Sequence, residues 1–156
     1  MQTTRVAWVW LLAVLVVSGG QPAADEPKAD TAREELKKLQ GTWQVASIET
    51  RQKARPEGEV SGLKLVIEGD SSTFEKDGKP VVGTWKLSID PGKKPKTIDI
   101  AVTGAPEDPR GTFTILGIYE LDGDSLRICW DGPKRPTEFK TTPEGGELWV
   151  LKRDKP

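Results

Sequence analysis

At 156 residues, the chain is long enough for one domain once a targeting segment is set aside. Charged residues make up 30% and hydrophobic residues 35%, and the formal net charge is -1; this suits a soluble domain and gives no bulk attraction to nucleic acid or an anionic membrane. Histidine is absent and cysteine occurs once, which removes the commonest general base, the commonest metal ligand and any internal disulfide.

The N-terminus reads as an export signal. Arg5 supplies the positive start, and Val6 to Val17 is an unbroken apolar run, well short of the roughly 20 residues that a membrane helix needs. Ser18, Gly19 and Gly20 make a small-residue cleavage site before Gln21, with an uncleaved anchor as the alternative. Residues 1–20 are therefore expected to be a signal peptide and 21–29 (QPAADEPKA) a flexible tether. Residues 30–156 are expected to be one exported domain, periplasmic or secreted, with no stable membrane span after signal removal.

A short helix is predicted over about 31–40. Thr31 and Glu34 have capping-box spacing, Leu36 and Leu39 form one apolar edge, and Gly41 stands where a helix stops. Glu34 and Lys38 are spaced for an i,i+4 pair.

Everything beyond reads as β. Strands are predicted near 43–50, 63–68, 72–76, 81–89, 96–103, 112–121, 125–131, 137–141 and 147–153. Val45 and Ile48 have opposite parity, which a bulge near Ala46 would repair. Pairing Lys76 with Lys79 across Asp77-Gly78 puts Phe74, Val81, Trp85, Leu87 and Ile89 on one face. Pairing Leu121 with Asp124 across Asp122-Gly123 does the same for Tyr119, Leu121, Leu126, Ile128 and Trp130. Ile98, Ile100 and Val102 alternate with Asp99, Ala101 and Thr103. No crossover helix separates any two strands, so the fold class is all-β: an antiparallel up-and-down barrel of about eight strands with a short N-terminal helix. A two-sheet sandwich is the alternative.

Five segments carry a resemblance. LQGTWQV at 39–45, KKPKTIDI at 93–100, LGIYELDGDSLRICW at 116–130, RPTEF at 135–139 and WVLKR at 149–153 together resemble the small exported lipocalin-like domain abundant in planctomycete bacteria, a family of unassigned function. The resemblance covers about residues 33–153. It implies a calycin-type barrel in which the Gly41-x-Trp43 segment opens the first strand and Trp43 closes the barrel base. Arg153 is the implied cationic partner stacked on the indole, with Lys152 the runner-up.

Candidate sites are few. Cys129 shares its face with Arg127 and Asp131, opposite the inward set. It reads either as a thiol activated by Arg127 or as a small residue tucked under the N-terminal helix, and without a histidine base the structural reading is preferred. Asp70, Asp122 and Asp124 read as turn residues against a calcium alternative. Lys93, Lys94, Lys96, Lys134 and Arg135 read as scattered solvated charges against an anion-binding rim. Phe74, Trp85, Leu87, Ile98, Ile100, Phe113, Tyr119, Leu126, Ile128 and Trp130 are expected to line the interior, either filling it or holding one small apolar ligand.

The functional expectation is thus a non-enzymatic exported barrel without cofactor or metal. It would bind a small apolar molecule inside, or an envelope or secreted protein at loops 51–62, 104–111 and 132–137. The alternative is an interaction or inhibitor module with a filled barrel. An enzyme is the remaining reading, disfavoured because no acid–base constellation is visible.

Overall fold

The computed structural model describes residues 26–81, 83, 85–103, 111–132 and 134–155. The expected signal peptide and residues 104–110 of the expected recognition loop lie outside the described residues.

In chain order the elements are α1 (Glu26–Leu39), β1 (Gly41–Thr50), β2 (Lys53–Ala54), α2 (Glu57–Val60), β3 (Leu63–Glu68), β4 (Ser71–Lys76), β5 (Lys79–Pro80), β6 (Trp85–Asp90), β7 (Lys96–Thr103), β8 (Thr112–Asp122), β9 (Ser125–Trp130) and β10 (Glu147–Arg153). Every pairing is antiparallel, and β1 pairs with both β3 and β10, so the path β10-β9-β8-β7-β6-β4-β3-β1 closes into an eight-stranded barrel. Closure leaves no main edge unpaired; β2 and β5 are short hairpin arms on β1 and β4. The all-β barrel with a short N-terminal helix is as expected.

The register follows the alternation of apolar residues. Val45 faces Leu151 and Ser47 faces Val150, so Ala46 is the bulged residue that brings Ile48 back to the core. The β8–β9 hairpin is offset from expectation: Leu121 faces Leu126, not Asp124, and Gly123-Asp124 form the turn. An offset of two positions leaves each residue on its own face, so Tyr119, Leu126, Ile128 and Trp130 remain inside.

Four other expectations are corrected. The helix starts at Glu26, inside the expected tether, so Thr31 lies within α1 and does not cap it. Glu34 pairs with Lys37 and Lys38 pairs with Glu35, in place of the expected Glu34–Lys38 pair. The strand expected over 81–89 begins only at Trp85, because Lys79 and Pro80 close a separate arm on β4 and Ser72 then faces Trp85. Val81 is consequently 50% exposed where an inward position was expected. The strand expected at 137–141 does not form; Pro136 and Pro143 flank it, and the segment crosses the outer wall of the barrel as bends.

That segment decides the fate of Cys129. Arg135 donates to the carbonyls of Gly117 and Ile98 and pairs with Asp99, pinning the segment across β7 and β8. Cys129 lies beneath it at 0% exposure, with its thiol donating to the Lys140 carbonyl at 3.5 Å. The cover is this segment, not the N-terminal helix.

Candidate binding site: barrel interior and open-end cleft

The helix end of the barrel is sealed. Trp43 is 0% exposed, its indole N–H donates to the Leu39 carbonyl at 2.8 Å, and the Arg153 guanidinium lies 4.1 Å from the ring centroid. Arg153 also donates to the Gln40 carbonyl at 2.8 Å and the Lys38 carbonyl at 2.7 Å, so it satisfies the C-terminal carbonyls of α1 while stacking on Trp43. Strand pairing places Trp43 opposite Arg153 directly, while Lys152 reaches Ser125. Gly41 turns the chain from helix into strand at φ +107°, a conformation that disfavours any side chain. Gln40 completes the plug by bonding both the N–H and the C=O of Gly69 in the β3–β4 turn.

The interior is filled. Phe74, Trp85, Leu87, Ile98, Ile100, Tyr119, Leu126, Ile128 and Trp130 surround one central void of only about 10 Å³. Of the expected interior residues, Phe113 stands apart: it lines a cleft at the open end. Leu39, Leu65, Ile67 and Ser72 also border the void and were not in the expected interior set. An aromatic layer closes the interior from above. Phe74 meets Trp85 at 4.6 Å and Trp149 at 4.8 Å, both edge-on, and Trp149 meets Trp130 at 5.1 Å. Trp149, absent from the expected interior set, is the centre of this layer; its place in an apolar strand was the available signal.

Three interior polar atoms, Ser72 Oγ, Trp85 Nε1 and Tyr119 OH, have no hydrogen-bond partner. Burial, then the nearby Glu35 and Asp90 carboxylates, push the Tyr119 phenol well above its ordinary range, so it stays protonated.

Above the aromatic layer lies the open-end cleft, about 780 Å³. Phe113, Ile115 and Trp130 give it an apolar floor, Thr50, Arg51, Thr114 and Glu147 a polar rim, and Gly132, Gly145 and Gly146 a wall without side chains. Trp130 borders both the cleft and the void, so it is the partition between them. Glu147 is already engaged, by Arg55 at 2.6 Å and by the Trp149 indole at 2.8 Å. Arg51 is exposed and, among the described residues, its guanidinium has no hydrogen bond or ion pair.

Arg51 and Gln52 form the two-residue turn between β1 and β2 with φ values of 50° and 61°. Such a turn prefers Asn-Gly, so two long side chains here carry strain. It is held by Gln52 N–H donating to the Thr141 hydroxyl at 2.7 Å, and Thr141 in turn donates to the Glu49 carboxylate.

The remaining candidates are placed elsewhere. Burial pushes the Cys129 thiol up, and Asp131 and Glu49 add to this against the opposing Lys140 carbonyl bond. Arg127, the activator in the alternative reading of Cys129, is occupied by Glu120. Lys96 pairs with Glu35 at the base and Arg135 with Asp99 on the wall, so these two are not brought together into the alternative anion-binding rim. Asp70 pairs with Lys86, and Asp124 with Lys155 and Arg153. Among the described residues, no group of three or more His, Cys, Asp or Glu converges as metal ligands, and no helix is long and apolar enough to cross a membrane.

Comparison of the chain with family models, curated proteins and solved structures returns no match. The reading of function therefore rests on the geometry of the barrel itself.

Proposed function

We propose that this chain is an exported, non-catalytic binding barrel of the lipocalin-like kind, and that it takes a small apolar molecule in its open-end cleft. The observation that carries this is the contrast in room: about 780 Å³ above Trp130 against about 10 Å³ beneath it. The ligand body lies on Phe113, Ile115 and Trp130, and the rim at Thr50, Arg51 and Thr114 orients it. Export is supported by the short apolar run after Arg5. A binding role in place of catalysis is supported by the lack of histidine and the burial of the one thiol.

Tryptophan emission tests the reading, since Trp130 floors the cleft. Titration with fatty alcohols, quinones and terpenoids is expected to give a saturable quench or shift for at least one class. Phe113→Ala should weaken that binding about tenfold, equivalent to ~1.4 kcal/mol. Emission unchanged across all three classes would sink the proposal.

A second reading, recognition of a protein or envelope component by loops 51–62, 104–111 and 132–137, is favoured by the strained Arg51–Gln52 turn, which presents an unpaired cation rigidly at the rim. A purified partner bound by the wild type and equally by Arg51→Glu would count against it.

A further inference from the structure

The three unpartnered polar atoms of the barrel core belong to residues that line one void. Ser72, Trp85 and Tyr119 all border the central void, and apart from Trp130 every other residue around it is Leu, Ile or Phe. Ser72 and Tyr119 are 2% and 1% exposed. Buried polar groups are nearly always hydrogen-bonded, and these three do not bond one another. Three such groups on a single void specify an occupant.

Their chemistry says which. The Trp85 indole N–H only donates, while the Ser72 and Tyr119 hydroxyls donate or accept. An oxygen that accepts from Trp85 and one hydroxyl and donates to the other satisfies all three. A carbonyl lacks the proton for the third bond, and an ammonium lacks the lone pair for the first. The void, about 10 Å³, is close to the lower limit for one water-sized group, so it holds a single oxygen and no more.

We infer that Ser72, Trp85 and Tyr119 form an internal seat for one hydroxyl oxygen beneath Trp130. Two sources supply that chemistry: a resident water, or the terminal hydroxyl of a ligand whose body lies in the cleft and whose tip has passed Trp130. Only the second source rests on the cleft reading above, so a water in the seat beside an unliganded cleft separates the fate of the two proposals.

The test is a high-resolution crystal structure of the protein purified from an exporting host without added ligand. The expected result is one oxygen peak within about 2.7–3.2 Å of all three atoms. An isolated peak identifies water; density continuing past Trp130 identifies a ligand hydroxyl. Absence of a peak, or a peak touching only one of the three groups, overturns the seat. A mutant cycle of Ser72→Ala and Tyr119→Phe gives an independent readout. If both hydroxyls hold one oxygen, either change disturbs the same occupant, and the drop in melting temperature for the double variant falls short of the sum of the singles. Additive drops overturn the shared seat. Should Tyr119→Phe fail to fold, NMR decides on Ser72→Ala alone: the Trp85 indole proton shows a long-lived water or ligand-hydroxyl cross-peak in the wild type that is lost in the variant, and an unchanged spectrum overturns the proposal.

Discussion

Trp43 and Cys129 are both fully buried, yet for different reasons, and the difference was only half visible in the chain. Trp43 opens the first strand beside a glycine, and its indole is used twice, as a donor to Leu39 and as a face for Arg153. Truncating it removes a large packed surface and leaves the Arg153 guanidinium over a hole. Trp43→Ala is expected to cost about 3–5 kcal/mol, read as a lower urea midpoint; a cost under about 1 kcal/mol would mean that the indole does not close the base. The cation on Trp43 was implied by the resemblance, which left Lys152 as the runner-up, and the β1–β10 register settles it by placing Arg153 opposite the indole. The cover over Cys129 was not legible. Its burial depends on where residues 131–146 return, and no local pattern records that. Ser72 is the clearest omission: it shares the parity of Phe74, so alternation places it on the inner face, but a serine was not counted as an interior residue.

Among the elements, the cleanly alternating β7 formed where expected, and the segment at 137–141, flanked by Pro136 and Pro143, did not. β7 pairs with β8 over its full expected length, Lys96 to Thr103, because Ile98, Ile100 and Val102 alternate with outward residues. The β8–β9 hairpin tolerates an offset turn because a shift of two positions conserves the inner face. Its weak point is Gly117, opposite Trp130 in the ladder. A Cβ there would lie 2.9 Å from the Cys129 carbonyl oxygen and 3.2 Å from Ile98 Cγ2. Gly117→Ala should therefore destabilise by about 1–3 kcal/mol, through forced displacement of β9. A thermal melt unchanged from wild type would show that the two strands part without cost. The expected strand at 137–141 failed for a reason its composition concealed: Arg135 and Thr141 are used to pin the segment across the wall and under the strained rim turn.

At the scale of the whole molecule, the barrel is closed at one end by α1 and left open at the other, and charge holds the closed end. Glu35 of α1 is buried against Lys96 of β7 and Lys38. Burial alone would push its carboxyl up, but the hydrogen bonds and charges of the two lysines outweigh this and hold it below its ordinary value of 4.5. A depressed folded-state value means that the ionised carboxylate stabilises the fold above about pH 4.5, and that this contribution is lost as pH falls through the lower folded-state value. Melting temperature should therefore decline on acidification below about pH 4.5, more steeply for wild type than for Glu35→Gln, which starts lower at neutral pH. Parallel acid profiles for the two would remove Glu35 from the docking of the helix.

The sequence by itself determined the fold class, most strand positions and the inner face of most strands, all of which follow from period-two alternation; the Trp43–Arg153 pair was implied by the lipocalin-like resemblance, with Lys152 as the runner-up. Tertiary structure alone decided three things: how much room the barrel keeps, what covers its outer wall, and which polar side chains end up without partners in its core. Those depend on packing between residues far apart in the chain, such as Ser72 with Tyr119 and Cys129 with Lys140. Alternation places a side chain on a face, but the volume left between opposing faces is a sum over the whole closed barrel.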